Sequence, residues 1–120
     1  MKKNSNRLKI AIFSSASEKI DPKIKYLAEA IGRYLAEKGV IIVTGGSGGI
    51  PGLIVSSAFR NGGYTLVYSP DSDPQSHNLR ADNLTIDYFR AKHFLPGFTR
   101  RSLQMIKDVD GAILLNGRVG

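Results

Sequence analysis

Residues 40–63, VIIVTGGSGGIPGLIVSSAFRNGG, decide how this sequence folds. The segment begins with four β-branched residues (40–43) and no polar alternation, which is typical of a strand buried on both faces of a parallel sheet. The glycine-rich run TGGSGG (44–49) follows at once. After it, apolar and small residues recur at helical spacing: Ile50, Leu53, Ile54, Ser57 and Ala58. The segment therefore predicts a strand, a glycine loop and the start of a helix.

The glycine loop has the features of a phosphate site. Backbone N–H groups at a helix start point at an anion, the helix dipole attracts it, and missing Cβ atoms let it approach closely. The alternative is a plain tight turn, for which two glycines would suffice, whereas this loop has four. Neither G-x-G-x-x-G nor the Walker pattern is present, so the type of site stays open. The predicted phosphate-binding residues are Thr44, Gly45, Gly46, Gly48 and Gly49.

The composition predicts one globular domain over residues 1–120, with a basic N-terminal tail at 1–7. Because there is no cysteine, disulfides and thiolate chemistry are excluded. No apolar run approaches the roughly 20 residues of a membrane span, so we expect no membrane and a cytoplasmic location. The net charge of +7 suits anionic ligands. The bases are scattered without interleaved aromatic residues, so nucleic acid is not the expected partner.

Helical and strand patterns alternate along the whole chain. Asp21 and Pro22 are typical of a helix start, and Gly39 of its end. A further helix is predicted at 99–107, and residues 69–78 as an exposed, mobile loop. The predicted strands cover residues 8–13, 40–43, 64–68, 84–89 and 109–115. We predict an α/β fold, a three-layer Rossmann-like sandwich with a parallel sheet of about five strands in the order 3-2-1-4-5.

In such a sheet, ligands bind outside the carboxyl ends of the strands where the strand order reverses. With the predicted order, strands one and four flank that point. The loops after strands one, two and five then contribute further candidate ligand-binding residues: Ser14, Ser17, Asn116, Gly117 and Gly120. Arg100 and Arg101 lie at the start of the last predicted helix, where an arginine can clamp a phosphate or can simply be solvated.

The remaining polar residues give little indication of a functional site. No metal site is expected, because neither His77, placed in the mobile loop, nor His93 has a second ligand at suitable spacing. Asp71 and Asp73 adjoin prolines and are predicted to form turns. Asp108 and Asp110 are predicted to be structural, and Tyr26 and Tyr34 are predicted to be packing or interface residues.

Several of these motifs resemble those of the Lonely Guy-type proteins, which are often labelled lysine decarboxylases. Residues 44–52, TGGSGGIPG, are similar to the family motif GGGxxGLMG. Residues 101–105 and 109–112 resemble its RKxxM and SDAFIALPGG segments. The resemblance implies hydrolysis of the N-glycosidic bond of nucleoside 5′-monophosphates, with Arg101 as the catalytic arginine and no cofactor. Residues 116–120, NGRVG, stand at the family's PGGxG, and its Thr and Glu would lie beyond residue 120.

Three functions remain open, the third because residues 98–101, FTRR, faintly resemble a segment of the DNA-processing proteins. The first is a phosphoribohydrolase-like nucleotide-binding protein, inactive as this 120-residue chain because the family's glutamate is missing. The second is a non-catalytic nucleotide sensor or carrier. The third is a single-stranded-DNA-binding protein of the DNA-processing type. We expect a nucleoside monophosphate or related phosphorylated molecule as ligand, a homodimer, and family elements that continue beyond residue 120.

Overall fold

The structure, a computed structural model, describes residues 7–14, 21–46, 48–81 and 84–115. Strands and helices alternate along these residues as the sequence predicts. In chain order they are β1 (Lys9–Ser14), α1 (Pro22–Glu37), β2 (Ile41–Thr44), α2 (Gly49–Arg60), β3 (Tyr64–Ser69), α3 (Pro74–Arg80), a 3-10 helix (Ile86–Tyr88), β4 (Ala91–Phe94), α4 (Phe98–Asp108) and β5 (Gly111–Leu115).

The five strands form one parallel sheet in the order β4-β3-β2-β1-β5. The structure confirms the α/β class and the parallel five-stranded sheet. It also confirms that strands three, two and one lie side by side in that order, with a later strand on the far side of strand one. The chain moves outward from β1 to β4 and then returns to β5, so the order reverses between β1 and β5. At that point Ser14 is paired with Leu115 at the carboxyl ends of the two strands.

Two apolar clusters cover the two faces of the sheet and produce the three predicted layers. One cluster joins the sheet to α1 and α2, with Ile12, Ala28 and Ile54 at its centre. The other joins Val43, Leu66 and Tyr68 to Met105 of α4. The helices α1 and α2 approach closely at Gly32, where a Cβ would lie 2.4 Å from the carbonyl oxygen of Ile54. This packing fixes α2, and with it the glycine loop, against the sheet.

The fourth strand differs from the prediction in position. The predicted segment, residues 84–89, contains the 3-10 helix instead, and its alternating apolar residues, Leu84, Ile86 and Phe89, are buried in the α1 and α2 cluster. The strand itself is Ala91–Phe94, which pairs with β3 at the edge of the sheet rather than between strands one and five. An edge strand with two exposed residues lacks the apolar run that identifies a buried strand.

The predicted mobile loop at 69–78 is also corrected, because α3 begins within it. Asp73 caps the helix by accepting a hydrogen bond from the Ser76 amide at 2.8 Å, and Pro74 occupies the first turn. This is the same Asp-Pro start that Asp21 and Pro22 form at α1, where Asp21 accepts from the Lys23 amide. The turn role predicted for Asp73 is thereby explained as helix capping.

The position of α4 depends on Tyr68. Its hydroxyl donates to Asp108 at 2.5 Å and secures the last turn of α4, whose first turn carries Arg101. Burial, followed by this hydrogen bond and the Asp108 charge, raises the pKa of Tyr68. The same bond is the largest cause of a lowered pKa at Asp108. The structural role predicted for Asp108 agrees with this contact.

We predict that Tyr68→Phe lowers the free energy of unfolding by about 1–2 kcal/mol at neutral pH, since a hydrogen bond to a charged acceptor is lost. The raised pKa of folded Tyr68 means that its contribution is complete below the unfolded pKa of about 10 and is lost as pH rises through the folded value. The lowered pKa of Asp108 means that its contribution is lost as pH falls below about 4. The difference between wild type and variant should therefore shrink at both extremes.

Urea unfolding followed by circular dichroism across this pH range measures that difference. Tyr26→Phe is the matched control, because Tyr26 is exposed and should change the free energy of unfolding by less than about 0.5 kcal/mol. A difference between Tyr68→Phe and wild type that is constant with pH would show that the Tyr68–Asp108 bond does not form.

Candidate functional site

A crevice of about 200 Å³ opens at the carboxyl ends of β1 and β2, between the starts of α2 and α4. It brings together four of the residues predicted from the sequence: Ser14, Thr44, Gly45 and Arg101. The other residues that line it are Ile12, Phe13, Pro51, Ser102 and Met105. Ser102 and Pro51 are not among the predicted site residues, although each lies within a motif quoted from the sequence, Pro51 in residues 44–52 and Ser102 in residues 101–105.

The glycine loop adopts a conformation that requires glycine at two positions. Gly46 has φ +84° and Gly49 has φ +73°, a region that residues with a Cβ rarely adopt. The Gly46 amide donates to the hydroxyl of Thr44 at 3.2 Å, so that one loop N–H is used inside the loop. Gly48 is the N-cap of α2 and supplies no side-chain acceptor for the first helical amides. The start of α2 is therefore a region of positive potential. Of the described α2 residues, only Pro51, which has no N–H, lines the crevice.

Arg101 lies against the loop at Gly45. A Cβ at residue 45 would come within 1.5 Å of the Arg101 Nη1, so only glycine leaves room for the guanidinium. Nη1 is 3.5 Å from the carbonyl oxygen of Tyr68, and the guanidinium carbon lies 5.5 Å from the centroid of the Phe98 ring. Among the described residues, the buried Nε has no hydrogen-bond partner.

The electrostatic surroundings of Arg101 are those of an unsatisfied cation. Burial is the main cause of its lowered pKa, repulsion from Arg80 adds to the effect, and attraction by Asp71 opposes it. Asp71 itself is held by Arg80, whose Nε donates to it at 2.8 Å. No carboxylate of the described residues forms an ion pair with Arg101.

Sequence reasoning missed a buried polar network behind the loop. His77, predicted in a mobile loop, is instead fully buried in α3. Its Nε2 is 3.1 Å from the Leu84 carbonyl oxygen and its Nδ1 is 3.0 Å from the Ser69 hydroxyl. The Asp-Pro pair before α3 could have indicated a helix there, but nothing in the sequence indicates that His77 points inward.

Other predicted site residues are not described or lie elsewhere. Ser17, Asn116, Gly117 and Gly120 fall outside the described residues. His93 is exposed on β4, with its ring 4.9 Å from that of Tyr68. Asp110 accepts a hydrogen bond from the Lys9 amide, as its predicted structural role requires. Tyr26 and Tyr34 are exposed on α1. Their predicted role as interface residues stays a prediction.

Within the described ranges, no group of three His, Asp or Glu side chains is arranged to hold a metal ion. None of the helices that the structure describes is long and apolar enough to cross a membrane.

Three solved structures with the same fold are described as different kinds of protein. TM1055 has a TM-score of 0.71 and 20% identity over 92% of this chain and 61% of that chain. The molybdenum cofactor binding protein of the phototrophic bacterium Rippkaea orientalis has a TM-score of 0.75 and 16% identity, covering 95% and 65%. The single-stranded-DNA-binding DNA processing protein A of Helicobacter pylori has a TM-score of 0.58 and 24% identity, covering 89% and 53%.

Identities this low establish a shared fold and no more. The chain spans less than two thirds of the length of each of these structures. A comparison with functionally curated proteins finds no match. The family itself is established by sequence, because the model described as the SLOG cluster4 family matches residues 7–120. This agrees with the resemblance to Lonely Guy-type proteins, and the chain belongs to the SLOG cluster4 family.

Proposed function

We propose that this protein binds a phosphorylated small molecule, specifically a nucleoside 5′-monophosphate or a related nucleotide, in the crevice beside the glycine loop. The observation that carries the proposal is the guanidinium of Arg101, which is partly buried against Gly45 with an unpaired Nε. The family match and the Rossmann-like fold are consistent with a nucleotide-related protein.

An anion in the crevice would remove an energetic penalty. A buried donor on a charged group that makes no hydrogen bond costs at least about 1–3 kcal/mol. Phosphate oxygens match the planar fork of a guanidinium and can accept from two of its nitrogens at once. The start of α2, whose Pro51 lines the crevice, adds the positive end of a helix dipole near the anion. The two groups together favour phosphate over an uncharged ligand.

The size of the crevice limits which part of a nucleotide it encloses. At about 200 Å³ it is smaller than the roughly 300–1,000 Å³ of pockets that enclose drug-sized ligands. A phosphate and its ribose fit this volume, and the base would extend beyond the described lining. Contacts within the described crevice would therefore recognise the phosphorylated sugar.

Binding without turnover is the form of the proposal that the lining supports. Cleavage of an N-glycosidic bond develops positive charge on the ribose, for which an enzyme supplies a carboxylate. Arg101 supplies a cation, but no Asp or Glu is among the described residues that line the crevice. A nucleotide sensor or carrier is therefore the second candidate. The fold shared with a molybdenum cofactor binding protein adds that class of cofactor as an alternative cargo.

We predict that AMP or inorganic phosphate at millimolar concentration raises the melting temperature of the wild-type chain, and that Arg101→Ala weakens binding about 10–100-fold, as expected for a lost charge-assisted contact. Arg100→Ala is the matched control, since Arg100 is the adjacent, exposed arginine on α4. Gly45→Ala should weaken binding similarly while leaving stability nearly unchanged, because the clashing atom is the end of a flexible side chain.

Calorimetric titration of the three variants checks this prediction. Equal affinities for Arg100→Ala and Arg101→Ala would contradict it. Single-stranded DNA titrated at two salt concentrations separates the DNA-processing alternative, since phosphate-backbone binding weakens steeply as salt is raised. Tight, salt-sensitive DNA binding that survives Arg101→Ala would favour that alternative.

We further predict that the 120-residue chain does not release adenine from AMP at a measurable rate. Chromatographic detection of the free base after prolonged incubation measures this, with acid-hydrolysed AMP as the positive control. Release of adenine that disappears in Arg101→Ala would assign the hydrolase function to this chain. Release that persists in that variant would show that the catalytic residues lie elsewhere.

The homodimer expected from the sequence is proposed to form through the α4 face. Leu103 and Ile106 of α4 and Leu114 of β5 are 60–74% exposed, which is unusual for three large apolar residues on neighbouring elements. We predict a dimer by light scattering at micromolar concentration and dissociation in Ile106→Glu, with Lys107→Glu as the exposed neighbouring control. A wild-type mass of 13.1 kDa would contradict the prediction.

A further inference from the structure

The loop that carries the proposed phosphate site lies directly on the buried ring of His77. A Cβ built on Gly46 would lie 2.5 Å from His77 Cε1 and 2.9 Å from a methyl group of Val67. The backbone of Gly46 therefore contacts the edge of the imidazole with no space for a side chain between them. His77 is fully buried, and the predicted site does not use it.

Hydrogen bonds on both sides fix the direction of this ring edge. The carbonyl oxygen of Leu84 can only accept, so the Nε2 of His77 carries hydrogen and donates to it at 3.1 Å. On the other side, Nδ1 lies 3.0 Å from the hydroxyl of Ser69. Cε1 is the ring atom between these two nitrogens, so the two bonds together aim Cε1 at Gly46.

The partners of His77 are themselves held by charged groups. The Ser69 hydroxyl accepts from the Asp71 amide at 3.2 Å and lies 3.1 Å from the Asp71 carboxylate. That carboxylate is 3.7 Å from His77 Nδ1 and accepts from Arg80. The Phe89 ring packs edge-on at 6.4 Å between centroids and limits rotation of the imidazole.

We propose that His77 is a positioning residue of the phosphate loop. The inference rests on the proposed function, because it assigns to His77 the task of holding the loop in the conformation that receives the anion. The imidazole ring packs against the backbone of Gly46, and the Thr44 hydroxyl accepts a hydrogen bond from the Gly46 amide within the loop. Gly46 keeps its positive φ between these two contacts, and Gly45 stays in position against Arg101.

The wild-type chain offers a direct readout, because it contains only two histidines. In a proton NMR titration with inorganic phosphate and with AMP, we expect the Cε1 proton of His77 to shift, since the loop settles above it. The shift should saturate with the same dissociation constant that calorimetry gives. His93, on β4 beside Tyr68, is the internal control and should move much less. His93→Gln assigns the two signals.

A pair of serine variants tests whether the support matters for affinity. Ser69→Ala removes the Nδ1 partner and should weaken phosphate binding about fivefold or more, the size of one neutral hydrogen bond. Ser56→Ala is the matched control, because among the described residues its hydroxyl donates to the Leu53 carbonyl within α2 and to no other group. His77→Gln, which retains a donor that can reach Leu84, should lose less affinity than His77→Phe.

The outcomes separate this inference from the function on which it rests. If phosphate binds and the His77 signal does not move, His77 is a packing residue and the inference is overturned while the proposed function stands. Equal affinities in Ser69→Ala and Ser56→Ala would overturn it in the same way. If neither phosphate nor AMP binds the wild-type chain, the proposed function fails, and the positioning role fails with it.

Discussion

The contact between the guanidinium of Arg101 and the backbone of Gly45 is the constraint on which this site depends. A cation is brought into a partly buried position where its Nε has no described partner, and the arrangement is possible only because residue 45 has no Cβ. The contact joins two parts of the fold that are distant in sequence, the loop after β2 and the first turn of α4. The rest of the sheet serves to hold these two parts together.

The sheet does this through Tyr68. Its hydroxyl secures the end of α4 at Asp108, and its carbonyl oxygen lies near Nη1 of Arg101 in the first turn of the same helix. On the opposite face, the close approach of α1 and α2 at Gly32 fixes the helix that follows the glycine loop. The positions of the Arg101 guanidinium and the glycine loop therefore depend on helices that pack against both faces of the sheet.

Local signals in the sequence were sufficient for most of the fold. The β-branched run before Thr44, the glycine loop and the Asp-Pro helix start at Asp21 each act within a few residues and predicted their elements correctly. The same Asp-Pro signal at Asp73 also begins a helix, although the prolines and aspartates around it favour a turn. The edge strand Ala91–Phe94 was missed because exposed Lys92 and His93 interrupt the apolar pattern that marks a buried strand.

The site was predictable only in part, because its defining contacts are tertiary. Thr44, Gly45 and Arg101 were identified as candidates from the loop motif, the helix start and the family resemblance, and the structure brings them into one crevice. That Gly45 makes room for the guanidinium, and that buried His77 supports Gly46, depends on the packing of α4 and α3. No spacing in the sequence encodes those contacts.

A crystal structure of the chain with AMP tests the central claim most directly. The account predicts a phosphate oxygen within hydrogen-bond distance of Arg101 Nε, with the phosphate facing the start of α2 beside Gly45. It would be contradicted by AMP bound elsewhere while the crevice holds only water. The clearest alternative site is a groove of about 400 Å³ elsewhere on the sheet, whose lining includes Arg7, Lys9 and His93.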